Sequence, residues 1–575
     1  MTRRTRNSSK ERVLMRPERV RLVLLSGVLL VATFGLVARA AWLQTVSTER
    51  LQSEGQARHV REHTIPTLRG NIVDRHGEPL AVSTPVDSVW ANPRELLQHR
   101  DRLPELADAL NIPLQSLETR LSQRAQREFI WLLRRMDPDQ SERVRALRVP
   151  GVSLDQEYRR FYPTSQVAAQ LIGTTNIDDI GQEGLEMSFD HWLSGQPGRK
   201  RVIRNRLGQV VEDVALIHEP RHGQTLRLTI DRRIQHLAFR ELSSAVEAAR
   251  AQSGSVVVMD VTNGEILAMA NVPSYNPNAQ RRGTEVGLRN RAVTDLFEPG
   301  SVIKPFLLAA ALEHQLIEPG AMVDASPGRM QVSGHTIVDP SNMGEISIEE
   351  ALARSSNIAM VQLALQLEPQ DLWSMYARLG FGQVTGTGFP GESAGVLRDH
   401  ERWHRLEQAT LAYGYAMSIT PLQLARAMAA IADQGRLRQP VLILDGAQPR
   451  PQSVIDPIIA QVLAEQMEHV ITHPRATGRL ARVPGYRVSG KTGTSRKSVA
   501  GGYSEEYTAS FAGFAPATRP RLAIAVVITE PGGEEVGGGA LAAPVFSRVM
   551  AGALRLMNIP PDDFESLLVH RGGQP

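Results

Sequence analysis

"GSVVVMDVTNGEILAMAN", residues 254–271, holds two β-rich runs on either side of Asn263-Gly264, a pair that favours the positive φ angles of a tight hairpin turn. Helical stretches come next: "KPFLLAAALEHQL" (304–316), "SIEEALARSS" (347–356), "IAMVQLALQL" (358–367) and "PLQLARAMAAIADQG" (421–435). Strands return late, in "GYRVSGKTGTS" (485–495), "SFAGFAP" (510–516) and "RLAIAVVITEP" (521–531), and "APVFSRVMAGALRLMN" (543–558) closes the unit as a helix. Strands at both ends with helices between them imply an α/β domain: one antiparallel sheet assembled from both halves, with helices on both faces. "GGEEVGGGA" (532–540) reads as a mobile loop and the final "HRGGQP" as a loose tail.

Ahead of this unit, which begins near residue 225, residues 45–220 are mixed and polar. "RGNIVDRHGEPLAVS" (69–83) alternates apolar and polar residues around His76-Gly77, as a hairpin does. "SLETRLSQRAQREFIWLLRRM" (116–136) has helical spacing with a charged face. No nucleophile stands beside a base here, the arginines read as a solvated face, and the segment reads as a scaffold or docking module. The N-terminus sets the topology. Residues 1–21 carry Arg3, Arg4, Arg6, Lys10, Arg12, Arg16, Arg19 and Arg21 against Glu11 and Glu18, and the uncharged "LVLLSGVLLVATFGLVA" (22–38) follows. With Trp42 and a snorkelling Arg39 that run extends to the roughly 20 residues that span a bilayer. The basic flank puts the N-terminus in the cytoplasm and the remainder across the membrane. A cleaved signal ending "ARA" at Ala40 competes, but the apolar run is long for one and Arg39 lies inside the cleavage site.

The 575 residues suffice for more than one domain, and 42% hydrophobic with 22% charged residues is ordinary globular composition. The net charge is only +4 and the arginines are dispersed beyond the N-terminus, which argues against nucleic-acid binding. The absence of cysteine excludes a thiol nucleophile, cysteine-held zinc and disulfide staples. No metal or cofactor is expected. Of 65 lysines and arginines only five are lysines: Lys10, Lys200, Lys304, Lys491 and Lys497. A buried lysine can give up its proton and arginine cannot, so an amine base must be one of these five.

"FEPGSVIKPF" (297–306) puts Ser301 three positions ahead of Lys304. Pro299 and Gly300 can set a helix start, and Pro305 falls in the first turn, where its missing N–H costs nothing. A serine there meets free N–H groups and the positive end of the helix dipole, which can hold an oxyanion. Lys304, one turn along, can accept the serine proton if burial lowers its pKa. Alone, the spacing equally describes a helix-start serine beside a solvated lysine. "SSN" (355–357) sits where one helix breaks and another starts. Ser355 could relay a proton and Asn357 bind a substrate amide, although an isolated Ser-x-Asn also reads as a polar helix cap. "KTGT" (491–494) is the most specific piece. On a strand Lys491 and Gly493 point one way, Thr492 and Thr494 the other, unless a bulge at Gly493 gathers more of them at one site. Gly493 would let a substrate backbone pair with the strand edge, and the threonines with Lys491 would bind a carboxylate.

In this order the three motifs resemble the serine acyl-transferase set of penicillin-binding proteins and class A β-lactamases. Together with the N-terminal anchor, "RGNIVDRHGEPLA" (69–81), "GQEGLEMSFDHWLSG" (181–195) and "AYGYAMSITPLQLA" (412–425), they make the chain similar to the class B penicillin-binding proteins over nearly its whole length, and most to their division-specific, septal members. The resemblance implies a cytoplasmic basic tail (1–21), a membrane helix (22–43), a mixed α+β pedestal or dimerisation module (44–224), a serine β-lactamase-like transpeptidase domain (225–560) and a flexible tail (561–575). It implies peptidoglycan cross-linking, in which Ser301 attacks the penultimate D-Ala carbonyl of a stem peptide, expels the terminal D-Ala, and passes the acyl group to an amine of a neighbouring stem. By the same resemblance Lys304 is the base and Ser355 with Lys491 a proton relay. Asn357 holds the substrate amide, Thr492, Gly493 and Thr494 form the substrate-binding strand, and the N–H groups of Ser301 and Thr494 make the oxyanion hole. β-Lactams would acylate Ser301. The pedestal would dock a membrane glycosyltransferase and other divisome proteins, and the protein would cross the inner membrane once with its catalytic domain in the periplasm.

Three readings compete with this one. Class A β-lactamases deacylate with a glutamate in Glu-x-x-Leu-Asn, and no glutamate here has an asparagine four positions on. A D,D-carboxypeptidase would use water in place of the amine, and the N-terminal module weighs against it. A β-lactam sensor needs a signalling domain, for which about 20 cytoplasmic residues leave no room. "GTGFPG" (386–391) has nucleotide-loop glycine spacing but neither follows a clear strand nor opens a helix, and Tyr413 and Tyr415 read as packing residues.

Overall fold

The structure, a computed structural model, describes residues 17–45, 60–204, 210–279, 287–446, 448–499 and 501–563. Most of the basic tail and the final "HRGGQP" lie outside those residues. Helix α1 (Pro17–Thr45) is exposed along its described side chains, and its Arg21–Thr45 stretch, with a mean hydropathy of 2.2, is long and apolar enough to cross a membrane.

The hairpin around Asn263-Gly264 forms as β1 (Ser253–Asp260) and β2 (Ile266–Val272). Its turn closes with the Asp260 N–H on Glu265 O at 2.8 Å, and Gly264 takes φ +79°, which suits a residue without Cβ. The late strands are β3 (Ser489–Val499), β4 (Gly502–Ala515) and β5 (Leu522–Thr529), and the sheet runs β2-β1-β5-β4-β3 with every pair antiparallel. The first strand of the domain therefore pairs with its last. Strand β1 is buried throughout because both faces are covered. Val256 and Val258 pack with helices α2 (Arg232–Ala248) and, at the end of the domain, Gly538–Leu556. Val257 and Met259 join the opposite cluster, with α3 (Lys304–Glu313), α4 (Ile348–Arg354), α5 (Asn357–Ala364), α6 (Pro421–Ala432) and α7 (Pro457–Thr472). The closing helix is α8. Strand β3 lies at the edge of the sheet, so one side of its backbone is open to a ligand.

Two expectations need correction. The stretch 116–136 is not one helix: Leu114–Gln123 is helical, and Ile130–Leu133 is a strand paired with Pro79–Ala91. Ile130 and Leu132 are buried in alternation, so period two wins over the helical reading, and Arg124 already leaves helical geometry at φ −126°. The end of "GGEEVGGGA" is not loose either, since Gly538 opens α8. A Cβ at Gly538 would fall 2.1 Å from Ser510 O and 2.3 Å from Gly493 O, so only glycine lets the helix start touch the sheet there.

The arginines of the N-terminal module are not all solvated. Arg69, 2% exposed, donates to Glu186 Oε2 and Asp190 Oδ1 at 2.7 Å each, and Arg160 Nε donates to Glu186 Oε1 at 2.7 Å. This buried cluster ties "RGN" to "GQEGLEM", which explains why both stretches are needed in one module. The strand Leu226–Arg227 pairs in parallel with Ile72–Val73, so the chain is still part of this module just past residue 224.

Candidate active site

Ser301 lies in a 3-10 turn, Gly300–Ile303, that runs directly into α3. It thus precedes the α-helix, whose first residue is Lys304, rather than sitting within it. Gly300 has φ +60°, and a Cβ there would lie 2.8 Å from Thr494 O and 3.3 Å from Thr494 N. This missing side chain is what brings the backbones of Ser301 and Thr494 side by side, the arrangement two oxyanion-hole donors require.

Ser355 caps the C-terminal end of α4 in the left-handed region, φ +63°, and Ser356 opens α5 with its Oγ accepting from the Ala359 N–H at 3.1 Å. The chain reverses between two helices, and the reversal turns Ser355 and Asn357 toward Lys304. Lys304 Nζ donates to Ser355 O at 2.7 Å, Ser355 Oγ at 3.2 Å and Asn357 Oδ1 at 2.9 Å. From the other side Lys491 Nζ donates to Ser355 Oγ at 3.0 Å, to Thr492 O at 3.1 Å and to Thr492 Oγ1 at 3.2 Å. Lys304 and Lys491, 187 positions apart in the chain, meet at one hydroxyl. Among the described residues no hydrogen bond joins Lys304 to Ser301. Such contacts often tighten only when substrate is bound.

Both lysines are fully buried. Burial, then the neighbouring Lys491, holds the Lys304 amine well below its ordinary value, with Asp339 pulling the other way. Burial brings Lys491 down to about 7. A cleft of about 780 Å³ is lined by Ser301, Ser355, Asn357, Thr492 and Thr494. Thr492 Oγ1 is 2.7 Å from Thr477 Oγ1, and Thr494 Oγ1 accepts the Gly538 N–H at 3.1 Å.

Gly493 does not serve the substrate side. A Cβ there would fall 2.6 Å from Pro299 O and 2.3 Å from Ser510 Oγ, so the glycine admits the turn that carries Ser301. The only irregularity in the pairing of β3 with β4 lies between Arg496 and Ser498, not at Gly493. The alternation of the strand alone sends the threonines to the cleft and Lys491 beneath it.

Sequence spacing gave no sign of Asp339 or Thr477. Asp339 Oδ2 accepts from Ser356 Oγ at 2.5 Å, and Oδ1 accepts from the Asn357 N–H at 2.5 Å and the Ile358 N–H at 3.1 Å. It fixes the start of α5, and only its place before Pro340 marks it in the sequence. Tyr415 accepts the Arg496 N–H on its hydroxyl at 3.1 Å and meets Tyr413 and Tyr503 edge to face, a packing role beside the cleft.

One metal-type spacing does occur, His218-Glu219-Pro220-Arg221-His222. It runs off the end of a strand, Val210–His218, so no helix puts its imidazoles on one face, and His222 Nδ1 accepts the Leu68 N–H at 3.1 Å. Among the described residues no group of three histidines or carboxylates could hold a metal ion.

Residues 254–551 match the penicillin-binding protein transpeptidase domain, and residues 64–228 match the penicillin-binding protein dimerisation domain. The peptidoglycan D,D-transpeptidase FtsI of Escherichia coli K12 is 42% identical over 549 residues, 94% of this chain and 92% of the relative. The probable peptidoglycan D,D-transpeptidase PbpC of Pseudomonas aeruginosa is 41% identical over 546 residues, 95% of this chain and 96% of the relative. Penicillin-binding protein 3 of Mycobacterium tuberculosis, solved with aztreonam, superposes with a TM-score of 0.67 at 28% identity, covering 87% of this chain and 98% of that one.

Proposed function

The chain belongs to the class B penicillin-binding proteins, and from that footing we propose that it works as a peptidoglycan D,D-transpeptidase through an acyl-enzyme on Ser301. The observation that carries the assignment is the meeting of Lys304 Nζ and Lys491 Nζ on Ser355 Oγ, at 3.2 and 3.0 Å, at the floor of the cleft that Ser301 lines.

Neutral Lys304 takes the Ser301 proton as Oγ adds to the carbonyl carbon of the penultimate D-Ala. The oxyanion rests on the N–H groups of Ser301 and Thr494. Ser355 Oγ, between two amines, passes a proton to the departing nitrogen, the C–N bond breaks, and the terminal D-Ala leaves. An amine of a second stem then adds to the ester, its proton returns by the same route, and Ser301 is restored. Thr492 and Thr494 hold the substrate carboxylate and Asn357 its amide. With a β-lactam the ring opens but no fragment departs, so the ester persists.

The likeness to FtsI supports a role at the septum. The dimerisation-type module supports docking of a membrane glycosyltransferase and other divisome proteins, and the N-terminal helix supports a single pass with the catalytic domain in the periplasm. Labelling the intact protein with penicillin and mapping the adduct by mass spectrometry tests the chemistry. One stable adduct on the peptide containing Ser301 is expected; an adduct elsewhere, or rapid turnover of the drug, sinks it.

A further inference from the structure

The cleft that Ser301 lines is longer than the donor it serves. With the donor's terminal carboxylate on Thr492 and Thr494, nothing of that peptide lies beyond them, yet the cleft continues. Past Thr492, whose Oγ1 is 2.7 Å from Thr477 Oγ1, it is walled by Ala476, Thr477, Arg479, Leu480 and Arg482, on the segment between α7 and β3. This wall is firmly seated. The Thr477 N–H donates to Ala353 O in α4 at 3.2 Å, the Gly478 N–H to Val470 O in α7 at 3.0 Å, and Arg479–Ala481 closes a 3-10 turn. A Cβ on Gly539 would fall 2.3 Å from Thr477 O, so the start of α8 abuts the wall from the other side.

The charge on the wall is one-sided. The charged side chains around the cleft are Arg354, Arg479, Arg482 and Glu535. Arg354 is taken up by Glu350 at 2.9 Å. Arg479 Nη1 donates to Pro474 O at 3.1 Å, and Arg482 donates from Nε to Ile471 O and from Nη2 to Thr472 O, at 3.2 Å each. Among the described residues neither Arg479 nor Arg482 has a carboxylate partner. Main-chain carbonyls thus fix both guanidinium groups without neutralising them, and their charge stays available to an anion. Leu480, which stands between them in the chain and is 58% exposed, adds an apolar contact.

The order of the chemistry says which reactant meets this wall. In a transfer through an acyl-enzyme the second amine reaches the ester carbon from the side on which the first amine left, because the second step is the first run backward. The departed D-Ala lay against Thr492 and Thr494. The acceptor therefore enters there, and any part of it larger than D-Ala extends along residues 476–482. Its nitrogen forms the new C–N bond, the ester C–O bond breaks, and the amine proton returns to Ser301 Oγ.

We propose that residues 476–482 form the acceptor subsite, in which Arg479 and Arg482 recognise a carboxylate carried by the attacking amine. This rests on the transpeptidase reading above and gives the second substrate a chemical class: an amine with an anionic group remote from its reacting nitrogen. Acylation comes before the acceptor binds and does not sense these two arginines.

The test uses the full-length protein in detergent and separates the two steps. Penicillin reads acylation. Transfer is read with a thioester donor, benzoyl-D-Ala-thioglycolate, which leaves benzoyl-D-Ala on Ser301 as the C–S bond breaks and thioglycolate departs. Two amines with the same carbon chain compete for it: D-2-aminoadipate, whose side chain ends in a carboxylate, and D-norleucine, whose side chain ends in a methyl group. The parent should transfer to D-2-aminoadipate at least about fivefold faster than to D-norleucine at equal low concentration, the size of one charge pair at a surface. An Arg479→Gln, Arg482→Gln double variant should lose that preference while its acylation by penicillin stays at the parent's rate. Arg479→Lys with Arg482→Lys, which keeps both charges, should retain part of it. Arg482 also holds the end of α7, so if the glutamine double variant no longer reacts with penicillin, Arg479→Gln alone is read in the same way. A parent that uses both amines equally, or a glutamine variant that keeps the full preference, overturns the acceptor subsite and leaves the transpeptidase reading standing. A parent that is acylated by the thioester but releases only the hydrolysed acid, with neither amine incorporated, overturns that reading and this inference with it.

Discussion

Ser355 Oγ stands between two buried amines, and two adjacent ammonium groups away from water repel, so the pair is comfortable with one proton. Lys304 is the member pushed down by burial and by its neighbour's charge together, which leaves it free to act as the base. Lys304→Arg keeps the charge but cannot accept the Ser301 proton. The variant should fold, by circular dichroism, yet be acylated by penicillin at least about 100-fold more slowly, because general-base catalysis is commonly worth about 100- to 10,000-fold. Acylation within a few-fold of the parent would remove Lys304 from the mechanism. Lys491 carries a second consequence. Between about 7, its folded value, and 10.5, its ordinary one, the unfolded chain binds a proton that the folded chain does not. Stability therefore rises with pH across that window and is lost as pH falls through it; Lys304, displaced in the same direction, adds to the slope. Urea midpoints at about pH 7 and about pH 9.5 should differ less in Lys491→Met than in the parent, and an unchanged or larger difference would contradict the buried, weakly basic amine.

At the scale of elements, the joint between α4 and α5 depends on Asp339. Its carboxylate caps α5 through two backbone N–H groups and the Ser356 hydroxyl, and its charge opposes the fall of the Lys304 pKa. Asp339→Asn should cost about 1–3 kcal/mol of stability and move the acid limb of the acylation–pH profile to lower pH. A lowered melting temperature with the limb unmoved would leave Asp339 a purely structural cap. Asp339 also marks where sequence reading stops. Ser301, Lys304, Ser355, Asn357 and Lys491 stand in short spacings, each local to one turn or strand, and the hairpin at 254–271 with the late strands announces the sheet. Asp339 reaches its partners 17 to 19 residues on, and Thr477 reaches Thr492 across a loop, with no periodic signal between them. The side that Gly493 serves was equally illegible, because its neighbour Pro299 comes from the far end of the domain. The stretch 116–136 failed for the opposite reason: its apolar residues satisfy a helical period well enough to hide the strand Ile130–Leu133, which only its pairing with Pro79–Ala91 decides.

For the molecule as a whole, α1 is long and apolar enough to cross a membrane, and the proposal that the basic residues at its N-terminal end keep that end in the cytoplasm has a direct test. A reporter active only outside the cytoplasm, fused after Pro575, should be active, and the purified protein should retain residues 1–40. A mature N-terminus at Ala41 would mean a cleaved signal instead of an anchor.

The pairing of β1 with β5 joins residues 253–260 to residues 522–529. At about 5–20 residues per second, a ribosome needs roughly 15 to 55 seconds to travel from one to the other. Throughout that interval the β1–β2 hairpin is without the neighbour that completes it, and an apolar strand edge faces whatever surrounds the emerging chain. Every motif of the site is synthesised before the sheet can close, so a ribosome that stalls after residue 500 releases a chain with all the chemical groups and no place to assemble them. Reactivity toward penicillin is therefore a completion signal, acquired in the last steps of synthesis, and the half-made protein is where protection from aggregation is needed most.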